Sequence, residues 1–156
     1  MPTFVRELML RDIPVLEPHT PLREAAAQMT RTPHGLVVVA DDTHVFGLVT
    51  LRQLVFGAES AARGHLVHGV RDLASRRFVL TTGDEPLEEL ARRMVRSDVR
   101  RAVVQGAEGQ VTGVITTVEL ARGIRRRWRR LHAVELSSEG SFPASDPPSW
   151  TDTLAG

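Results

Sequence analysis

The chain has 156 residues, of which 42% are hydrophobic, and its formal net charge is +1; this length fits one compact domain or two small domains that share a core. It contains no cysteine, which excludes disulfides, thiolate catalysis and cysteine-bound metal. No apolar run reaches the ~18 residues that a membrane span requires, and the N-terminus lacks the basic start and apolar core of a signal peptide, so we expect a cytoplasmic protein without a membrane segment.

Two copies of one sequence pattern follow each other along the chain. Residues 5–39 match residues 70–104 at an offset of 65, and 12 of these 35 positions are identical. A one-residue insertion then shifts the offset to 66 for two closing octets, residues 47–54 and 113–120. Two copies are too few for a solenoid. We therefore expect a pseudo-twofold pair in which each copy covers the open face of the other.

Both copies predict the same order of elements, beginning with a short leading segment at residues 5–8 or 70–73. A brief strand follows at residues 13–16 or 78–81, and then a helix with Pro21 or Pro86 in its first turn. Apolar residues recur in each helix at i, i+3, i+4 and i+7, the spacing of one helical face: Leu22, Ala25, Ala26 and Met29 in the first copy, and Leu87, Leu90, Ala91 and Met94 in the second.

Two strands and a second helix complete each copy. Turns that contain acids or glycine separate β-branched runs, which predicts strands at residues 36–40, 45–49, 102–105 and 111–115. The closing helices are expected to start at Leu51 and Thr117. The order is therefore β-α-β-β-α, twice, and the fold class is α/β, more specifically α+β.

The repeats set the expected domain limits: residues 1–60 form the first repeat, 61–69 a linker and 70–125 the second repeat. The last helix should continue as an arginine-rich extension, 126–136, before a flexible acidic tail rich in proline and serine, 137–156. The cluster Arg125–Arg130, at the start of this extension, has three interpretations. The first is a solvated helix face, and the second is pairing with acids of a partner subunit or of the tail. The third is contact with nucleic acid, which has less support because the cluster lacks the interleaved aromatic residues of a single-strand binder.

The repeated pattern resembles a tandem cystathionine-β-synthase-type (CBS) domain pair, also called a Bateman module. The resemblance rests on both octets, each of the form Gly-apolar-apolar-Thr-x-x-polar-Leu, on the paired Pro-Leu and Met positions of the first helices, and on the valine-rich middle strands. It covers roughly residues 4–125 and implies two repeats packed through their sheets, with two clefts between them. It also implies a stand-alone regulatory protein without catalytic activity, which forms a homodimer and signals ligand occupancy to a partner protein.

In this family the clefts often hold adenine-containing ligands: AMP, ADP, ATP, NAD or S-adenosylmethionine. The resemblance assigns ribose or phosphate contacts to the hydroxyls of Thr50 and Thr116. It assigns ribose contacts to Gln53 and Glu119, which stand where the family usually has Asp. It assigns phosphate contacts to Arg100 and Arg101, and base contacts to Pro14, His34 and Gly35. Charge-assisted hydrogen bonds are roughly twice as strong as neutral ones. We therefore favour the cleft that contains Glu119 for the ribose.

The same octets have an interpretation that needs no ligand. Thr50 with Gln53, and Thr116 with Glu119, both fit a capping box, in which the first and fourth residues satisfy each other's backbone donors. A CBS scaffold with empty, capped clefts is therefore the alternative to a ligand-binding module. The six histidines show no metal-ligand spacing, and no nucleophile–base pair or nucleotide-binding glycine loop stands out. We expect no metal site, no required cofactor and no catalysis.

Overall fold

The computed structural model describes the backbone of residues 3–138 and the side chains of residues 3–129. Two 3₁₀ helices, Val5–Glu7 and Val70–Leu73, form the leading segments. The order β-α-β-β-α is confirmed in both copies: β1 Val15–Leu16, α1 Leu22–Met29, β2 Leu36–Ala40, β3 Val45–Thr50 and α2 Leu51–Ala62 in the first, and β4 Val79–Thr82, α3 Leu87–Ser97, β5 Arg101–Gln105, β6 Val111–Thr116 and α4 Thr117–Ser138 in the second.

The strands form two three-stranded mixed sheets with the orders β1-β2-β3 and β4-β5-β6. In each sheet the first strand runs parallel to the middle strand, and the third runs antiparallel to it. The two registers correspond, since Leu36 pairs with Thr50 in one sheet and Arg101 pairs with Thr116 in the other. The predicted strands 36–40 and 102–105 therefore occupy equivalent positions, and all five residues of β2 are buried.

Some element bounds differ from the predicted ones. Strand β1 begins at Val15, two residues later than expected, and Pro14 before it has no N–H group to donate to the ladder. Helix α2 continues to Ala62, inside the expected linker, and α4 is unbroken across the expected limit at residue 125. The expected tail, 137–156, lies outside the described residues apart from its first two positions. The proposed domain limits stay a prediction.

The leading segments are exchanged between the two repeats. Val5 begins the first repeat but is fully buried in the core of the second, with Leu87 and Leu90. Val70 begins the second repeat and is fully buried in the core of the first, with Ala25. Because each core contains a residue contributed by the other repeat, the two repeats are expected to fold as one unit.

The connectors after the leading segments continue this exchange. Leu10 exchanges two backbone hydrogen bonds with Val114 of β6, at 2.7 and 3.0 Å, and Ser75 exchanges two with Leu48 of β3, at 3.1 and 2.8 Å. A third apolar cluster joins the two sheets and includes Val38 and Val103, from the two middle strands. Each repeat thus adds a short extra strand contact to the sheet of the other.

A partly buried ion pair joins the end of β4 to α3. Glu85 Oε1 accepts hydrogen bonds from Arg93 Nη2 at 2.8 Å and from the Thr81 hydroxyl at 2.5 Å, and Arg93 Nη2 also donates to the Leu80 carbonyl at 2.7 Å. Burial of the carboxylate opposes its ionisation, but the hydrogen bonds from Arg93 and Thr81 outweigh burial, so the pKa of Glu85 lies below its ordinary value of 4.5.

Replacing Glu85 by Gln should lower the free energy of unfolding by about 1 kcal/mol at pH 7, a modest value because solvent screens the exposed part of Arg93. A carboxylate whose pKa is lowered on folding stabilises the protein above its unfolded pKa and loses that contribution as the pH falls through its folded pKa. Urea unfolding should therefore show a difference between wild type and Glu85→Gln that is full at neutral pH and fades below pH 4.5. The exposed control Glu108→Gln should leave the free energy of unfolding at pH 7 nearly unchanged; a loss there equal to that of Glu85→Gln would contradict the assignment.

Candidate ligand-binding site between the repeats

The two closing octets meet at one pocket between the repeats. Thr50 ends β3 and Thr116 ends β6, and a helix begins at the next residue in both cases. The pocket has a volume of about 460 Å³ and is lined by residues of both repeats. Six of the nine predicted site residues line it: His34, Gly35, Thr50, Arg101, Thr116 and Glu119. Both threonines thus belong to one shared pocket, where the resemblance implied two clefts.

Three predicted site residues do not line this pocket. The carbonyl of Pro14 accepts the amide hydrogen of Val38 at 2.9 Å, and the carbonyl of Arg100 accepts that of Thr117 at 3.1 Å. The Arg100 side chain is exposed. Gln53 is half-buried, and its amide oxygen accepts hydrogen bonds from Thr50.

The first octet forms the predicted capping box. The backbone amide of Thr50 donates to Gln53 Oε1 at 2.7 Å, and the Thr50 hydroxyl donates to the same oxygen. The amide oxygen of Gln53, to which the resemblance assigned a ribose contact, therefore already accepts hydrogen bonds from Thr50 at the start of α2. Thr50 still lines the pocket, but Gln53 contributes no carboxylate to the pocket.

The second octet forms the same contacts with a carboxylate. Glu119 Oε1 accepts the Thr116 backbone amide at 2.8 Å and the Thr116 hydroxyl at 2.7 Å. The residue is only 7% exposed, and no residue among 3–129 donates a hydrogen bond to its second oxygen, Oε2. Because Glu119 lines the pocket, we expect Oε2 to be available to accept a hydrogen bond from a hydroxyl that enters it.

The charges of the pocket favour an anionic ligand. Arg52 and Arg101 line it together with the single carboxylate of Glu119. Arginine donors form a fork that matches phosphate and carboxylate oxygens. Sequence reasoning missed Arg52, although it lies inside the first octet, because its position matches an apolar residue, Val118, in the second.

Gly35 supplies backbone geometry at the rim of the pocket. Its φ is +60°, in the left-handed region that side chains rarely adopt. A Cβ at this position would meet no atom within 4 Å, so the conformation rather than a steric clash explains the glycine. The backbone of residues 34 and 35 therefore turns at the place where the resemblance implied base contacts.

Metal binding and membrane insertion find no support in the described part of the chain. Residues 3–129 contain no group of three or more His, Asp or Glu side chains arranged to hold a metal ion. Among the helices within residues 3–138, none combines the length and the apolar character needed to cross a membrane.

A sequence profile of the CBS domain matches this chain twice, over residues 5–58 and residues 70–126. The matches fall on the two structural repeats and together cover more than half of the chain. The protein therefore belongs to the CBS domain family, as its octets predicted, and its two repeats form a CBS domain pair.

Solved structures of other CBS domain pairs share the fold. The pair of protein MJ0100, in complex with 5′-methylthioadenosine and S-adenosyl-L-methionine, is 16% identical, with a TM-score of 0.64 over 81% of this chain and 99% of that one. CBSX2 in complex with AMP is 21% identical, with a TM-score of 0.62 over 81% and 99% of the two chains. The CBS-domain protein ATU1752 of Agrobacterium tumefaciens is 26% identical, with a TM-score of 0.59 over 77% and 98%.

Curated relatives of the sequence are longer proteins. The uncharacterized protein MJ1225 of Methanocaldococcus jannaschii is 27% identical over 129 residues, which are 82% of this chain and 45% of the relative. A homoserine O-acetyltransferase of Methanosphaerula palustris is 30% identical over 125 residues, 80% of this chain and 24% of the enzyme. The chain thus spans less than half the length of these relatives.

Proposed function

We propose that this CBS domain pair is a regulatory module that binds an adenine-containing ligand, namely AMP, ADP, ATP, NAD or S-adenosylmethionine, in the pocket between its repeats. The observation that carries the proposal is the buried carboxylate of Glu119, whose Oε2 has no donor among the described residues while Oε1 is held by Thr116. A ribose diol supplies the hydroxyl donors that this oxygen lacks. Two solved CBS pairs of the same fold, with 5′-methylthioadenosine and S-adenosyl-L-methionine or with AMP, support this ligand class.

The two arginines of the pocket set an expected order among these ligands. Arg52 and Arg101 attract phosphate groups and repel the positive sulfonium of S-adenosylmethionine. We therefore expect AMP, ADP, ATP and NAD to bind more tightly than S-adenosylmethionine.

Thermal unfolding in the presence of each ligand tests this function. A ligand that binds only the folded state at 100 times its Kd stabilises it by about 2.7 kcal/mol, so the Tm should rise with ligand concentration. The variant Arg101→Ala should reduce the rise for AMP, whereas Arg23→Ala, an exposed arginine outside the pocket, should not. If none of the five ligands raises the Tm of the wild type, the ligand-binding proposal is wrong.

The second candidate function is that of a scaffold with empty, capped clefts. The helix-start contacts of Thr50 with Gln53 and of Thr116 with Glu119 favour it, since in each octet the threonine amide is satisfied within the chain without a ligand. Failure of the whole ligand panel, together with retained self-association, would favour the scaffold.

We also propose that two copies associate through α2 and α4. Leu51, Val55 and Phe56 on α2 are exposed, and so is Val118 on α4. Leu51 and Val118 line the same pocket, and exposed apolar side chains brought together in this way are typical of an interface. Ligand occupancy would reach a regulated partner only if the ligand prefers one of two arrangements of the repeats or of the subunits.

The dimer is tested by Phe56→Asp, which places a charge on a side chain that is 53% exposed on α2. Sedimentation equilibrium should show the wild type as a dimer and this variant as a monomer, because an unpaired charge is costly in an apolar interface. Leu66→Asp, at a position that is 82% exposed in the linker, is the control and should remain dimeric. A monomeric wild type would contradict the proposal.

The remaining parts of the functional assignment stay predictions. Absence of catalysis, a cytoplasmic location and an unidentified regulated partner are expected from the sequence. In the arginine-rich extension, Arg127 forms an ion pair with Glu88 at 2.6 Å. This arginine therefore already has an acidic partner within the chain. Binding of DNA or RNA that weakens steeply with salt would instead favour the nucleic-acid interpretation.

A further inference from the structure

A second pocket lies at the other end of β3 from the site between the repeats. It has a volume of about 260 Å³ and is lined by His44, Val45, Phe46, Arg71, Arg76 and Phe78. The first three come from β3 and the turn before it, and the other three come from the second repeat's leading segment and the connector that follows it. We call it the arginine–phenylalanine pocket. It shares no lining residue with the site that contains Thr50 and Thr116.

The two arginines of this pocket lack acidic partners. The guanidinium carbon of Arg71 lies 4.4 Å from the centroid of the Phe46 ring, a cation–π contact that holds its plane against the strand. Arg76 is exposed, and within residues 3–129 neither guanidinium has a carboxylate at ion-pair distance. Their forked donors are therefore free to bind a carboxylate or a phosphate.

The equivalent arginines of the first repeat are occupied. Arg6, which matches Arg71, forms an ion pair with Asp84 at 2.8 Å and lies 4.7 Å from the Phe4 ring centroid. Arg11, which matches Arg76, donates to the carbonyl of Arg6 at 2.8 Å. The same sequence positions thus form an ion pair and a side-chain hydrogen bond in one copy, whereas among residues 3–129 neither is found in the other.

The aromatic character of the pocket is also specific to one copy. At the offset of the repeats, Phe46 matches Thr112 and Phe78 matches Ile13. Phe46 and Phe78 are half-buried, so each ring presents part of its surface to the pocket. Aromatic walls beside unpaired arginines suit a ligand that is flat and apolar at one end and anionic at the other.

We propose that the arginine–phenylalanine pocket binds a small organic anion in which a carboxylate or phosphate is joined to one flat apolar ring. Arg71 and Arg76 bind the anionic group, and Phe78 and Val45 contact the ring. The volume is below the roughly 300 Å³ at which pockets for drug-sized ligands begin, so the pocket fits a single ring better than a nucleotide. This site is additional to the adenine-ligand site and does not depend on it.

Phenyl phosphate, benzoate and inorganic phosphate are suitable probes, titrated into ¹⁵N-labelled full-length protein. Phenyl phosphate or benzoate should shift the backbone amides of His44, Phe46, Arg71 and Phe78. Whichever of phenyl phosphate and benzoate binds better should bind roughly tenfold more tightly than inorganic phosphate. Burial of about 60 Å² of apolar ring surface supplies this factor. Comparing the affinities of phenyl phosphate and benzoate distinguishes a phosphate ligand from a carboxylate ligand.

Arg76→Ala is the decisive variant, because the described structure gives this side chain no hydrogen bond or ion pair and the fold should survive its loss. It should weaken binding of the preferred probe about tenfold or more, and Arg76→Lys should recover only part, since lysine lacks the fork. Arg31→Ala, an exposed arginine elsewhere, is the control. The proposal is overturned if Arg76→Ala binds like wild type, if inorganic phosphate binds as tightly as phenyl phosphate and benzoate, or if the shifts fall only on the Thr50–Thr116 pocket or nowhere.

Discussion

Leu90→Ala is expected to lower the free energy of unfolding by about 2–5 kcal/mol, the range for truncating a buried leucine. Leu90 lies on α3 and is 0% exposed, in a cluster that also contains Val5 from the first repeat. Because the cores share exchanged segments, the loss should shift one cooperative transition of the whole protein. Urea unfolding followed by circular dichroism, together with calorimetry, measures both the size of the loss and the number of transitions.

Val95→Ala provides the matched control on the same helix. Its side chain is 80% exposed, so this substitution should change the free energy of unfolding by no more than about 0.5 kcal/mol. Equal losses at Leu90 and Val95 would show that the buried face of α3 is wrongly assigned. Two separate transitions, of which only one responds to Leu90→Ala, would contradict the shared core.

Glu119→Ala is expected to weaken AMP binding by about 1.5–3 kcal/mol, the cost of losing a hydrogen bond to a charged group. It also removes the capping box with Thr116, so it changes both affinity and stability. Glu119→Gln separates the two effects, because Gln53 already forms the same box with Thr50 in the first repeat. Calorimetric titration should show weaker AMP binding by Glu119→Gln, while its Tm without ligand remains close to that of the wild type.

Gln53→Ala is the matched variant for this experiment. It removes the equivalent capping contact of α2, but Gln53 does not line the pocket, so AMP affinity should stay near that of the wild type. If Glu119→Gln binds AMP like wild type while Gln53→Ala loses it, the ribose lies beside Thr50 instead. If both variants bind like wild type, neither side chain contacts the ligand.

The repeated pattern predicted the fold well, because an offset that matches leading segments, helix faces and closing octets leaves few other arrangements. It could not predict the exchange of Val5 and Val70 between the cores, since a repeat shows that two segments are equivalent but not which copy each one contacts. The bounds of β1 depended on one missing N–H group, at Pro14.

The candidate site was predicted only in part. The octets identified Thr50, Thr116 and Glu119, because a strand that ends at a hydroxyl before a helix has a recognisable sequence. The shared pocket was not predictable, since it depends on how closely the ends of β3 and β6 approach. Arg52 was missed because its equivalent in the second octet is Val118, and comparing repeats draws attention to what they have in common.

The exchanged leading segments also determine what would happen if the chain were cut between its repeats. Gly64 and Leu66 lie in the exposed connection after α2, so cleavage there would break a surface loop. The N-terminal fragment would carry Val5, which belongs in the other fragment's core, and the C-terminal fragment would carry Val70, which belongs in the first. Neither fragment alone can complete its interior, but mixed together they contain every part of both. The two fragments should therefore fold only when they associate, because each supplies a buried residue to the core of the other.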